Sequence, residues 1–186
     1  VTSSSTTAAG ACSGLGISPK KIGEIFGIAK AYCTRVGNGV FPTELFDELG
    51  NEIRIKGNEF GSNTGRPRRI GWLDLPALKY AVMINGVTQL VLTKADVLSG
   101  LKSVAVCTHY ELEDGTIQSV SGILPETAKP ILKWMNGWDA DFSIIEEPTA
   151  LPQELMDFLS FLEEELGIPV TYLSTGPGRE QILKMK

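Results

Sequence analysis

The sequence predicts an α/β chain: a mainly parallel sheet with flanking helices. Three observations carry that reading. Apolar, β-branched runs alternate with amphipathic helical patterns, and one such run, residues 87–93, follows a well-capped helix. The strongest helical pattern, 153–166, leads directly into another run at 168–173. Parallel strands need crossover connections, and helices supply them. With 186 residues, 42% hydrophobic and 21% charged, the chain can bury one core, so residues 1–186 are read as a single domain. Ligands of such sheets gather beyond the carboxyl ends of the strands, which directs attention to the segments after Thr93 and Leu173.

Residues 2–16 are dense in Ser, Thr, Ala and Gly and read as loop or linker. Ser18 and Pro19, followed by Ile22 and Ile25, predict a capped short helix that Gly27 ends. Residues 28–36 read as one strand stopping at Gly37-Asn38-Gly39. Residues 44–58 carry Leu45, Phe46, Leu49, Ile53 and Ile55 among charges, with Gly50 predicting a break in the helix. The stretch 58–71, rich in Gly and Arg, reads as a surface loop. Asp74 is the expected N-cap of a helix facing inward through Leu75, Leu78, Ala81, Val82 and Ile84 and closed by Asn85-Gly86. The run 87–93 is nearly all apolar, as when helices cover both faces of a sheet. Residues 104–110 form a strand that turns at Glu113-Asp114-Gly115 into 117–120. Leu155, Phe158, Leu159, Phe161 and Leu162 give the helix 153–166 its apolar stripe, and Gly167 stops it. Pro169 stands near the start of the last strand, where its missing N–H is tolerated.

Seventeen Lys and Arg against 22 Asp and Glu give a net charge of −5, which argues against nucleic acid as a partner. No apolar run reaches the ~18 residues that would cross a bilayer, and the first residues lack the pattern of a secretory signal, so no membrane partner is expected. Cys12, Cys33 and Cys107 are odd in number and form no C-x-x-C pair, which fits a reducing cytosol. The chain opens on Val1 without Met and carries no Gly-x-x-x-x-Gly-Lys-Ser/Thr phosphate loop, so it is expected to be truncated at the N-terminus.

Three clusters could carry chemistry. Thr93-Lys94-Ala95-Asp96 follows an apolar strand directly. A carboxylate there can accept from both the ring N–H and the exocyclic amine of guanine while the Lys stem packs along the base; adenine would face the same carboxylate with a lone pair. Ser174-Thr175-Gly176, followed by Pro177-Gly178, also comes directly after a strand and can approach a base edge from the other side. The third cluster, Asn63-Thr64-Gly65-Arg66-Pro67-Arg68-Arg69, holds three of the six arginines within four residues. They repel one another unless an anion or a neighbouring Glu neutralises them, and Arg forks suit phosphates and carboxylates. His109, the single histidine, has no evident Ser or Cys partner and reads as a packing or surface residue.

With these clusters in hand, the chain resembles the adenylosuccinate synthetases along essentially its whole length. The stretches that carry the resemblance are Val1-Thr2-Ser3-Ser4, Thr34-Arg35-Val36-Gly37, Phe41-Pro42-Thr43-Glu44-Leu45, Gly57-Asn58-Glu59-Phe60-Gly61, Thr64-Gly65-Arg66-Pro67-Arg68-Arg69, Gly71-Trp72-Leu73-Asp74, Leu92-Thr93-Lys94-Ala95-Asp96-Val97-Leu98 and Ser174-Thr175-Gly176-Pro177. The resemblance implies part of a P-loop-NTPase-like fold and the carboxyl-terminal portion of a GTP-dependent ligase. Such an enzyme joins IMP and L-aspartate into adenylosuccinate, with GDP and phosphate, in AMP biosynthesis. It further implies GTP as co-substrate, Mg2+ held by residues outside this chain, a cytoplasmic homodimer, and catalytic residues upstream of Val1. By the same resemblance Thr2 contacts the IMP phosphate and Val36 lines the IMP site beside the aspartate pocket. Ser62, Asn63, Thr64, Gly65, Arg66, Pro67 and Arg68 form the mobile aspartate loop, with Thr64, Arg66 and Arg68 on the carboxylates, Arg66 also reaching IMP and Arg68 reaching GTP. Lys94, Ala95 and Asp96 with Ser174, Thr175 and Gly176 form the guanine pocket. Asn63 stands where the family often has Thr. The alternatives weighed beside this are a non-enzymatic guanine-nucleotide-binding module and a structural piece that binds nothing.

Overall fold

A single buried residue, Ala31, separates two strands that belong to different sheets. The computed structural model describes residues 6–120 and 124–186. In chain order its elements are α1 (Ala8–Leu15), β1 (Phe26–Lys30), β2 (Tyr32–Arg35), α2 (Glu48–Lys56), β3 (Arg69–Asp74), α3 (Leu75–Asn85), β4 (Gln89–Thr93), β5 (Ser103–Glu111), β6 (Ile117–Gln118), β7 (Lys129–Asn136), α4 (Gln153–Leu166), β8 (Val170–Ser174) and β9 (Ile182–Lys184). Among the described residues, one sheet has the order β1-β4-β8-β9, parallel except for its last pair. The other runs β2-β3-β5-β6, with β7 also on β5; only β3 and β5 are parallel in it. The α/β class and the parallel sheet with flanking helices are as the sequence predicts, and the second, mixed sheet is added to them.

The parallel sheet sets the geometry that matters for function. In its register Lys30 stands beside Thr93, and Leu92 beside Leu173, so β1, β4 and β8 release their chains along one edge. The Ala31 N–H still donates to the Thr93 carbonyl (2.8 Å), which holds the crossing to the second sheet against that edge. Helix α4 carries Leu155, Phe158 and Leu162 into a core shared with Leu90, Leu92 and Leu173. Trp138 packs against Phe158 at 5.3 Å between ring centres and donates its Nε1–H to the Ala95 carbonyl (2.9 Å). An otherwise isolated buried indole donor is thereby satisfied, and the segment after β4 is tied to the core.

Several elements depart from expectation for identifiable reasons. Residues 8–15 are helical rather than loop: Ala-rich and closed by Gly16 at φ 64°, α1 buries no residue, so it has no apolar period to read. The expected helix at 18–25 shrinks to one 3-10 turn, Pro19–Lys21, because the Ile25 carbonyl accepts from Thr88 N (2.9 Å) and the chain has already turned toward β1. Gly27 accordingly lies inside that strand instead of ending a helix. Residues 28–36 split at Ala31, as described. Gly50 does not break α2; it is buried inside the helix, where a Cβ would lie 2.7 Å from the Leu45 carbonyl oxygen. The loop ends at Arg68, since Arg69 begins β3 and Ile70 is fully buried; the charge of Arg69 disguised a strand. Strand β4 buries Leu90 and Leu92 and leaves Gln89, Val91 and Thr93 half-buried, so its two faces are not equally covered. Ile84 in α3 is 46% exposed, while Leu78, Ala81 and Val82 are half-buried. β6 covers only Ile117 and Gln118. β7 and β9 were not anticipated: β7 carries Pro130 and two lysines, and β9 is three residues long.

Two elements match closely. The Asp74 carboxylate accepts from Ala77 N (3.1 Å) as the N-cap of α3, and α4 spans the expected Gln153–Leu166 with Gly167 left-handed at its end. Replacing Phe158 by Ala removes a fully buried ring from beneath Trp138. We expect a loss of about 3–5 kcal/mol in the urea unfolding free energy, whereas Ile84→Ser should stay within about 0.5 kcal/mol.

Candidate functional site

The edge shared by β1, β4 and β8 gathers two of the three sequence clusters directly. After β4 the chain turns through Lys94, whose φ of 66° is unusual for a residue with a side chain. That turn aims the Lys94 ammonium at the Gly57 carbonyl (3.0 Å). Ala95 is fully buried, and Val97 and Leu98 sink into the core, so the 3-10 turn Asp96–Leu98 is rigidly seated. Among the described residues no hydrogen bond reaches the Asp96 carboxylate. After β8, Ser174 Oγ donates to the Gly176 carbonyl (2.9 Å). Buried Thr175 donates its N–H to the Gln181 carbonyl (2.9 Å), and Gly178 N–H donates to Gln181 Oε1 (2.8 Å). The two loops face each other across a cavity of about 270 Å3 lined by Lys94, Asp96, Ser174 and Gly176 together with Gly57 and Asn58. Larger hollows of about 400 and 420 Å3 lie elsewhere and contain none of the predicted residues from 36 to 176.

Gly57 and Asn58 come from the end of α2, and they connect this cavity to the third cluster. A Cβ on Gly57 would lie 2.3 Å from the Tyr32 hydroxyl, so only glycine allows this approach. Two residues on, Glu59 is 1% exposed, and three donors converge on its carboxylate. Lys30 Nζ (2.7 Å) and Tyr32 OH (2.8 Å) donate to Oε1, and Arg68 Nη1 (2.6 Å) donates to Oε2. Burial alone would raise the Glu59 pKa, but the hydrogen bonds from Lys30, Tyr32 and Arg68 outweigh it and hold the carboxyl below the ordinary range. Burial, then the hydrogen bond to Glu59, pushes the Tyr32 hydroxyl upward, so it remains a neutral donor.

The arginines of the loop have different fates. Arg68 is paired with Glu59; Arg69 forms a two-pronged pair with Glu44 and also donates to the Gly37 and Gly39 carbonyls. Two of the three guanidinium groups thus have a carboxylate partner within the chain, and Arg68 shares its partner with Lys30. Arg66 alone has a guanidinium without a partner among the described residues, on an exposed loop turned by Gly65 at φ 63°. Ser62, Asn63, Thr64, Gly65 and Pro67 are exposed with it. The loop is pinched at its root, where Gly61 N–H donates to the Arg66 carbonyl (2.9 Å) and Arg68 N–H to the Glu59 carbonyl (3.0 Å). Val36 is 68% exposed and lines none of these hollows, and Thr2 lies outside the described residues.

Lys30, Tyr32, Gly57, Asn58 and Glu59 are the site residues that sequence reasoning gave no role. The signal available for them was the run Gly57-Asn58-Glu59-Phe60-Gly61, with one acid amid glycines next to an Arg-rich loop. Other reactive side chains stand apart. Burial, then the neighbouring Asp74, pushes the Cys33 and Cys107 thiols up to about 12, so neither forms a ready thiolate. His109 lies in β5, where its carbonyl accepts from Cys107 Sγ (3.2 Å). Among the described residues no group of three or more His, Cys, Asp or Glu could hold a metal ion, and no helix is long and apolar enough to cross a membrane.

Comparison with known proteins places the chain by family and fold. The family model described as adenylosuccinate synthetase matches residues 1–183. The chain is 57% identical over 185 residues to the adenylosuccinate synthetase of Cytophaga hutchinsonii, covering 98% of this chain and 43% of that protein. It is 52% identical to the one from Christiangramia forsetii, covering 98% and 44%. A solved structure of fully ligated adenylosuccinate synthetase from Plasmodium falciparum superposes with a TM-score of 0.94 at 39% identity, over 100% of this chain and 45% of that one. The chain therefore spans less than half the length of the relatives it matches.

The Glu59 network has a pH signature. Because folding lowers its pKa, Glu59 stabilises the fold above the ordinary carboxylate range, and that contribution is lost as pH falls through its lowered value. The stability gap between the wild-type chain and Glu59→Gln, measured by urea unfolding, should stay level from about pH 7 down to the ordinary carboxylate value of 4.5 and narrow only below it. A gap independent of pH would mean that folding does not lower the Glu59 pKa, and one that widens on acidification would mean that the carboxyl is protonated in the folded chain.

Proposed function

We propose that this chain, which belongs to the adenylosuccinate synthetase family, contributes the guanine pocket and the amino-acid loop of a GTP-dependent ligase. In that reaction GTP phosphorylates the 6-oxygen of IMP, and the amine of L-aspartate then displaces the phosphate, giving adenylosuccinate, GDP and phosphate for AMP biosynthesis. The observation that carries the reading is the convergence of Lys94, Asp96, Ser174 and Gly176 on one cavity, with the Asp96 carboxylate unpaired among the described residues. In our reading Asp96 accepts from the ring N–H and the exocyclic amine of guanine. The Lys94 stem lies along the base, while Ser174, Thr175 and Gly176 close the other side and Ala95 anchors the turn.

The exposed loop is assigned to the amino acid. Thr64, Arg66 and Arg68 grip the carboxylates of aspartate within the segment that Ser62, Asn63, Gly65 and Pro67 shape, with Arg66 extending to IMP and Arg68 to GTP. Thr2 and Val36 are assigned to IMP. Positioning and charge neutralisation carry most of the rate in such phosphoryl transfers, so these residues bind and orient rather than move protons. We read the chain as the carboxyl-terminal portion of a cytoplasmic, homodimeric enzyme on its motif content, and place the catalytic groups outside it. A magnesium ion would serve GTP in the whole enzyme; among the described residues no group of three or more His, Cys, Asp or Glu stands together to hold one.

In calorimetry the chain should bind GTP and GDP and discriminate against ATP, and Asp96→Asn should weaken GTP binding by about 10- to 100-fold. The same variant should gain affinity for xanthosine nucleotides, because an amide can donate to the carbonyl that replaces the exocyclic amine. Equal responses to GTP and ATP would refute the assignment. The purified 186-residue chain should show no ligase turnover with IMP, L-aspartate and GTP, because base and carboxylate contacts alone do not stabilise the transferring phosphoryl group.

A further inference from the structure

Resting on the reading above, we infer that Glu59 is a positioning residue that holds Lys30 and Arg68 as a two-cation seat for one substrate oxyanion, a carboxylate or a phosphoryl group. The two cations grip different oxygens of the carboxylate, Lys30 on Oε1 and Arg68 on Oε2, so they stand side by side. Glu59 itself is 1% exposed, whereas the side chains of Lys30 and Arg68 are 29% and 31% exposed. An anion arriving from solvent therefore meets the cations, with the carboxylate behind them. Two cations on one carboxylate leave an excess positive charge, and Tyr32 adds a neutral donor that does not cancel it.

Both cations keep donors to spare. Among the described residues Arg68 uses only Nη1, which leaves Nε and Nη2, and Lys30 donates to Glu59 and to Thr34 Oγ1 (3.2 Å), which leaves one N–H of three. The seat is also rigid. Arg68 N–H donates to the Glu59 carbonyl (3.0 Å) and the Arg68 carbonyl accepts from Arg54 Nε (2.8 Å), so its backbone is clamped on both sides of the side chain. Lys30 is the last residue of β1 and pairs in register with Thr93, next to Lys94. Binding an oxyanion here orders little that is not already ordered, which favours affinity.

The test uses the full-length protein that carries this stretch, with Lys30→Gln and Glu59→Gln. Initial rates are measured with L-aspartate and GTP varied in turn, alongside binding of a fluorescent GDP and near-ultraviolet circular dichroism. Each variant should raise the KM of one substrate at least about tenfold while GDP affinity stays within about twofold and the spectrum is unchanged. A rise for aspartate identifies a carboxylate as the occupant; a rise for GTP identifies its terminal phosphoryl group. Unchanged KM values in both variants overturn the inference, as does loss of GDP binding and of the spectrum together with activity, which would mark a purely structural network. If the wild-type enzyme turns over no aspartate, the functional reading fails separately, and titration with inorganic phosphate judges the seat alone. Phosphate binding lost in both variants then sustains it; no binding by wild type, or binding equal in the variants, overturns it.

Discussion

The carboxylate of Glu59 joins the two sheets. It is almost wholly withdrawn from water, and a lone buried carboxylate costs several kcal/mol. Its three donors come from both sides of the fold: Lys30 ends a strand of the parallel sheet, Tyr32 begins a strand of the mixed sheet, and Arg68 immediately precedes another. The penalty is offset only while all three are in place. The network thus fixes the angle at which the chain crosses at Ala31, and with it the position of Arg68 relative to the edge where β1, β4 and β8 end.

The same constraint explains why one three-residue segment serves two clusters. Gly57 accepts from Lys94 on the cavity side and abuts the Tyr32 hydroxyl, and Glu59 holds Arg68 on the loop side. The cavity between the two loops and the Arg-rich loop are consequently neighbours along one short run of chain rather than separate crevices.

What the sequence made legible follows from range. Helix α4, the cap at Asp74 and the turn after β4 depend on neighbours within a few residues, and they appear where pattern places them. Lys94, Asp96, Ser174 and Gly176 were legible because each follows an apolar strand, and parallel strands end on one edge. The split at Ala31 was not legible: residues 28–36 look like one strand, and only pairing with partners 34 to 63 positions away divides them. Arg69 likewise looked like part of a cationic loop, whereas Glu44, 25 positions earlier in the chain, turns it into the start of a buried strand. Pairing of that kind withdraws Arg69 from the three clustered arginines, and nothing in the local pattern sets it apart from Arg66 and Arg68.

Two acidic residues show how the chain divides its charges between folding and recognition. Glu59 is buried and accepts from three donors; Asp96 is only half-buried and accepts from none among the described residues, although buried neighbours on both sides fix its position. A fully compensated carboxylate has little left to offer a ligand, since every new donor would have to displace an old one. An uncompensated carboxylate on a rigid turn has the reverse character: donors brought by a ligand replace only water, and a ligand without them gains nothing there. Asp96 is therefore the acid of the cavity still free to accept from a ligand, while Glu59 is occupied by the donors it holds. That division follows from which acid the fold has already satisfied, and it is independent of any single distance in the site.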